Sequence, residues 1–91
     1  VNMPTTFALS SAYPNPFNPS TSINLQISNE ANVNVQVFDL SGRAVATLLA
    51  GTYPAGEHEM KWNASEQASG MYLVRAETNG HVAMQKILLL K

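Results

Sequence analysis

Apolar side chains return at every second residue through most of this chain, and no segment sustains the 3.6-residue return of an amphipathic helix. That period places successive side chains on opposite faces, so it confines the chain to strands with one buried side. Ile23, Leu25 and Ile27 alternate with Asn24, Gln26 and Ser28. After the polar turn Asn29-Glu30-Ala31-Asn32, Val33, Val35 and Val37 alternate with Asn34, Gln36 and Phe38. Leu40-Ser41-Gly42-Arg43 reads as a tight turn into a weaker strand, Ala44–Leu49, and these two strands should form a hairpin. His58, Met60 and Trp62 take the core side of the next strand, against Glu57, Glu59, Lys61 and Asn63. Tyr72, Val74 and Ala76 do the same within Met71–Glu77, and Asn79-Gly80 then forms the two-residue turn into a return strand, His81–Leu90.

The breaks are as informative. Ala50–Gly56 holds two glycines and a proline and reads as a connection, and Asn63–Gly70 as a polar loop. Pro14, Pro16 and Pro19 remove three N–H donors and push their predecessors out of the helical region, so Tyr13–Pro19 is an extended bend. Thr6–Ser10 before it has the makings of a short first strand. Six or seven short strands at this spacing predict an all-β fold, an immunoglobulin- or fibronectin-III-like antiparallel β-sandwich of about seven strands. Residues 1–12 read as an N-terminal segment and residues 13–91 as one sandwich.

Composition removes several functions. Only 12% of the 91 residues are charged, about half the usual share of roughly 25%. Nine Asn, eight Ser and six Thr supply the polarity, residues that suit turns and strand exteriors. A net charge of −1, with the five cations scattered, gives no footprint for nucleic acid or an anionic membrane surface. The longest apolar run, Ile87–Leu90, is far too short to insert in a membrane. Without cysteine there is no disulfide framework and no thiolate metal site. Val1 in place of an initiator methionine reads as a piece of a longer chain.

The residues that could carry chemistry do not assemble. His58 and His81, the two histidines, sit on different strands without ligand spacing, and no cofactor is implied. Asp39, the one aspartate, cannot build a calcium loop; it should accept backbone N–H bonds from its turn or pair with Arg43. Glu57 and Glu59 share a strand face about 7 Å apart, but they should face solvent rather than form a glycosidase pair. Trp62, Tyr13, Tyr53 and Tyr72 would make a sugar-stacking platform only if exposed together, and parity turns Trp62 and Tyr72 inward. The chain is not expected to be an enzyme.

Five segments, in order, carry a family resemblance. Tyr13-Pro14-Asn15-Pro16-Phe17-Asn18-Pro19-Ser20-Thr21 resembles the opening of the C-terminal sorting domain of the type IX (Por) secretion system of Bacteroidetes and relatives. Val37-Phe38-Asp39-Leu40-Ser41-Gly42-Arg43-Ala44-Val45 is similar to its central segment, with Phe38 in place of the more usual tyrosine. Ala55-Gly56-Glu57-His58 with Trp62, then Ser69-Gly70-Met71-Tyr72, then Lys86-Ile87-Leu88-Leu89-Leu90-Lys91 resemble its later strands. The resemblance spans Tyr13–Lys91.

It implies a non-catalytic targeting module joined covalently to an upstream secreted cargo. The partners it implies are an outer-membrane translocon and a surface sortase. The implied route is through the periplasm to the cell surface or beyond. The alternative is an accessory carbohydrate-binding or spacer module of a secreted glycoside hydrolase. Candidate recognition residues are Pro14, Asn15, Pro16, Asn18 and Pro19 in the bend, and Asp39, Gly42 and Arg43 in the turn. Gly70, Tyr72 and the closing run Lys86, Ile87, Leu88, Leu89, Leu90 and Lys91 complete the set. The bend is either a docking element or a rigid corner that carries the first strand between sheets. The last strand, apolar on both faces, is either covered on both sides or an edge for strand pairing.

Overall fold

The computed structural model describes residues 7–78 and 80–91. Seven strands form two antiparallel sheets: β1 (Phe7–Leu9), β2 (Ser20–Ile27), β3 (Ala31–Phe38), β4 (Ala44–Tyr53), β5 (Gly56–Asn63), β6 (Gly70–Thr78) and β7 (His81–Leu89). One sheet has the order β1-β2-β5 and the other β4-β3-β6-β7. The fourth strand thus lies beside β3 rather than beside β5, which separates this sandwich from the immunoglobulin constant arrangement.

Alternation explains the core directly. Ile23, Leu25 and Ile27 of one sheet meet Val33, Val35, Val37, Val74 and Ala76 of the other, all nearly inaccessible. Each such aliphatic side chain contributes about 1.5–3 kcal/mol when withdrawn from water. Met60, Trp62, Tyr72, Ile87 and Leu89 complete the interior. Among the described residues the two buried polar ones are satisfied: the Thr21 hydroxyl donates to the Pro14 carbonyl at 2.8 Å and that of Thr78 to the Asn32 carbonyl at 2.9 Å.

One expectation changes. The stretch expected to connect strands after Leu49 instead continues β4 to Tyr53, leaving only Pro54-Ala55 as the link. Gly51, at φ 133°, lies opposite Val33 in a conformation that side chains rarely adopt, so this glycine extends the strand instead of ending it. Register shifts at Val35/Gln36 and Val37/Phe38 absorb the remaining irregularity. The proline bend passes from one sheet to the edge of the other and back: Tyr13 bridges Ser22 of β2, and Phe17 bridges Leu89 of β7. The short first strand runs Phe7–Leu9, and Thr78 pairs with His81 across the expected two-residue turn, whose Asn79 lies outside the described residues.

The strand directions define two poles. At one lie the start of β1, the links 28–30 and 54–55, and Gly80. At the other lie the segments 10–19, 39–43, 64–69 and the end of β7.

Candidate functional site

Four of the five resemblance segments meet at this second pole; Ala55–His58 alone lies at the first. The bend reaches it by following β2 as far as Tyr13, then passing to the other sheet and running along the outer edge of β7. Asn15 behaves there like a peptide group: its Oδ1 accepts the Leu88 N–H at 3.0 Å and its Nδ2 donates to the Lys86 carbonyl at 3.3 Å. Phe17 continues the contact with its backbone, donating to Leu88 O at 2.9 Å and accepting from Leu90 N at 3.0 Å. Its ring is buried and lies 5.7 Å from that of Trp62. Prolines suit this segment because the N–H donors it turns to β7 belong to Asn15 and Phe17, not to the prolines. Pro14 and Pro19 act as acceptors through their carbonyls, for Thr21 and for Ala64 N at 2.8 Å, while Pro16 and Asn18 are exposed.

The free edge that the last strand offered for pairing is therefore occupied from Lys86 to Leu90 by the chain itself. Ile87 and Leu89 fill the core, Leu88 is half-buried on the outer face and Leu90 is half-exposed. Lys91 closes the end: its N–H donates to Ser69 Oγ at 3.0 Å and its ammonium to the Ser65 carbonyl at 2.6 Å.

Asp39 takes the structural role expected of it, through backbone rather than through the Arg43 guanidinium. Its Oδ1 accepts from Ser41 Oγ at 2.6 Å, Ser41 N at 2.9 Å and Arg43 N at 3.1 Å. The Ser41 hydroxyl, followed by the Arg43 amide, holds this carboxyl below its usual range. Gly42, at φ 91°, lets the turn close with its N–H on the Asp39 carbonyl. Gly70 opens β6 opposite Leu89, and the Tyr72 hydroxyl donates to the Ala68 carbonyl at 2.6 Å. A tyrosine near the start of the sixth strand, bonded back to backbone just upstream, is the tyrosine corner of immunoglobulin-type sandwiches.

On the outer face of the four-stranded sheet, the register aligns Phe38, Leu73 and Lys86 in one row and Met71 with Leu88 in the next. Phe38, Leu73, Lys86 and Met71, together with Leu40 of the turn, border an open groove of about 530 Å³, lined almost wholly by apolar atoms. Phe17, Leu40 and Leu73 were not among the expected site residues. The signals that could have marked them are a lone phenylalanine inside a polar bend, an apolar residue at a turn tip, and an apolar residue on the solvent parity of its strand.

The sugar platform does not form. Trp62 and Tyr72 pack edge to face in the core, 5.3 Å apart, while Tyr53 rests on His58 and Tyr13 is exposed alone. Among the described residues no group of three or more His, Asp or Glu side chains could hold a metal ion. Among the described residues no helix is long and apolar enough to cross a membrane.

The family model for the secretion system C-terminal sorting domain matches residues 11–90. The chain belongs to this family. It is a sorting signal for type IX secretion, and the alternative of a sugar-binding accessory module is not favoured. The fold is similar to that in the crystal structure of dimeric latent PorU from Porphyromonas gingivalis, with TM-score 0.74 and 24% identity over 98% of this chain. The sorting domain spans 10% of that PorU chain, and no curated protein matches it. Family membership implies contact with the secretion machinery, attachment to a cargo, and export to the cell surface or the extracellular space.

Proposed function

We propose that this sorting domain is a non-catalytic module whose second pole is the surface read by proteins of the type IX outer-membrane translocon, with a surface sortase acting afterwards on the cargo junction. The carrying observation is the convergence of the segments around Pro14–Pro19, Asp39–Arg43, Gly70–Tyr72 and Lys86–Lys91 on that pole. β1 starts at the opposite pole, so a cargo joined upstream would leave the reading surface uncovered. The passage this supports runs through the periplasm to the cell surface.

The test is a fluorescent protein fused before Val1 and expressed in a type IX-competent bacterium. The fusion should reach the surface or medium, and variants with Gly-Ser replacements of the exposed positions Pro16, Asn18 and Arg43 should be retained while remaining folded. Equal export of the replaced and parent domains would remove the second pole as the reading surface.

A further inference from the structure

The edge of β7 is occupied from Lys86 to Leu90, so a partner arriving at this strand meets side chains rather than free backbone. The two outer faces of the sandwich differ in what they present. On the three-stranded sheet the outward positions are Ser22, Asn24, Gln26, Glu57, Glu59 and Lys61. On the four-stranded sheet, at the sorting pole, the corresponding positions make the apolar groove. Leu40 is 79% exposed at its lip and Met71 38% exposed in its wall.

The charges at this groove are unequal. Asp39 is bound into its own turn by three hydrogen bonds. Arg75 shares its charge with Glu77 at 3.6 Å. Lys86 is exposed, stands beside Leu73, and has no carboxylate within ion-pair distance among the described residues. Exposed apolar surface around an unneutralised cation is complementary to an apolar group carrying an adjacent negative charge. An anionic lipid surface is disfavoured, since the domain has a net charge of −1 and no basic cluster. A groove walled by Phe, Met and Leu fits a protein anchor.

We infer that this groove is the docking site for a protein segment of the secretion machinery that inserts an apolar side chain beside a carboxylate, the carboxylate pairing with Lys86. The inference rests on the proposed reading of the sorting pole and specifies its partner chemistry. Binding is by side-chain insertion, and β7 keeps its own edge cover throughout.

The same reporter fusion tests it. Lys86→Glu should lower surface reporter at least about tenfold, Lys86→Arg should retain export, and Met71→Asp should reproduce the loss. Lys61→Glu and Glu59→Lys, on the opposite face, should export as the parent does. Thermal unfolding of each purified domain separates docking from folding, and Lys86→Glu, at an exposed position, is the variant that settles the matter if Met71→Asp unfolds. Parent-level export of both folded groove variants overturns the inference while leaving the sorting reading intact. Failure of the parent domain to export its reporter overturns both. Binding of the parent to vesicles of equimolar phosphatidylcholine and phosphatidylglycerol, lost in Lys86→Glu, would assign the groove to lipid and overturn the protein partner. A gain in export on Asn15→Ala, which uncovers the β7 edge, would assign recognition to strand addition and overturn it as well.

Discussion

The two poles of this sandwich are built by different means. At the first, short links join strands whose own pairing does the work, and the side-chain bonds are mostly between neighbours or along the strands, as from His58 to the Pro54 carbonyl and from Asn29 to Ser28. At the second, long segments with little regular structure are held by Asn15, Asp39, Ser69, Tyr72 and Lys91 bonding to backbone or to one another's turns. Strand pairing needs no particular side chain, so the first pole should tolerate substitution. A pole made of side chain–backbone bonds depends on residue identity, which is what a surface read by another protein requires.

The largest test of this contrast is Phe17→Ala. Phe17 joins the bend to β7 by backbone and to Trp62 by its ring, so truncation should cost about 3–5 kcal/mol. That is a large share of the roughly 5–15 kcal/mol that stabilises a typical domain. Glu30→Ala, in an exposed link of the first pole, should stay within about 0.5 kcal/mol of the parent. Urea unfolding midpoints decide it, and similar losses at the two sites would abolish the distinction between poles.

The same contrast explains how much was readable beforehand. Period-two alternation marks the core members Ile23, Leu25, Val33, Val35, Val37 and Val74 because one face must be dry, and that holds whatever the topology. The end of β4 was not readable. Gly51 looks like a loop residue until β3 is alongside to pair with it, and that pairing is non-local. Asp39 was legible because an aspartate ahead of Ser-Gly bonds its own turn. The bend's role was not: nothing local in Asn15 says that its amide meets residues 86 and 88. The outward apolar row of Phe38 and Leu73 was hidden for a similar reason, since only the register brings the two together.

Next in size is Asn15→Ala. Two hydrogen bonds to β7 disappear, which should lower stability by about 1–3 kcal/mol. The sharper readout is amide exchange. The Leu88 N–H, released from Asn15, should exchange faster, while the Leu90 N–H keeps the Phe17 carbonyl and its protection. Equal acceleration at both would mean that the bend lifts as one unit rather than being held at separate points.

Tyr72→Phe removes only the hydroxyl from the corner, with the ring still packed on Trp62. The expected loss is about 0.5–1.5 kcal/mol, measured by thermal unfolding with calorimetry. An unchanged midpoint would show that this bond closes the 64–69 segment without stabilising the domain.

The smallest effect is the pH response of the Asp39 turn. The folded carboxyl lies below its ordinary value of 3.8, chiefly because the Ser41 hydroxyl and then the Arg43 amide bond its charged form. A carboxyl lowered in the folded state stabilises the fold above the unfolded value, and that contribution fades as pH falls through the folded one. The turn should therefore be fully formed at neutral pH and should loosen only in acid below about 3.8, a window set by the unfolded carboxyl and its lowered folded counterpart. In amide spectra recorded down the pH scale, the Ser41 and Arg43 resonances should shift together in that window, and in Asp39→Asn neither should titrate. Links of the first pole, such as 54–55, hold no carboxylate bonded to backbone among the described residues and should stay still over the same range. Movement of Ser41 without Arg43 would mean that the carboxylate bonds one side of the turn only, and that Gly42 alone closes the other.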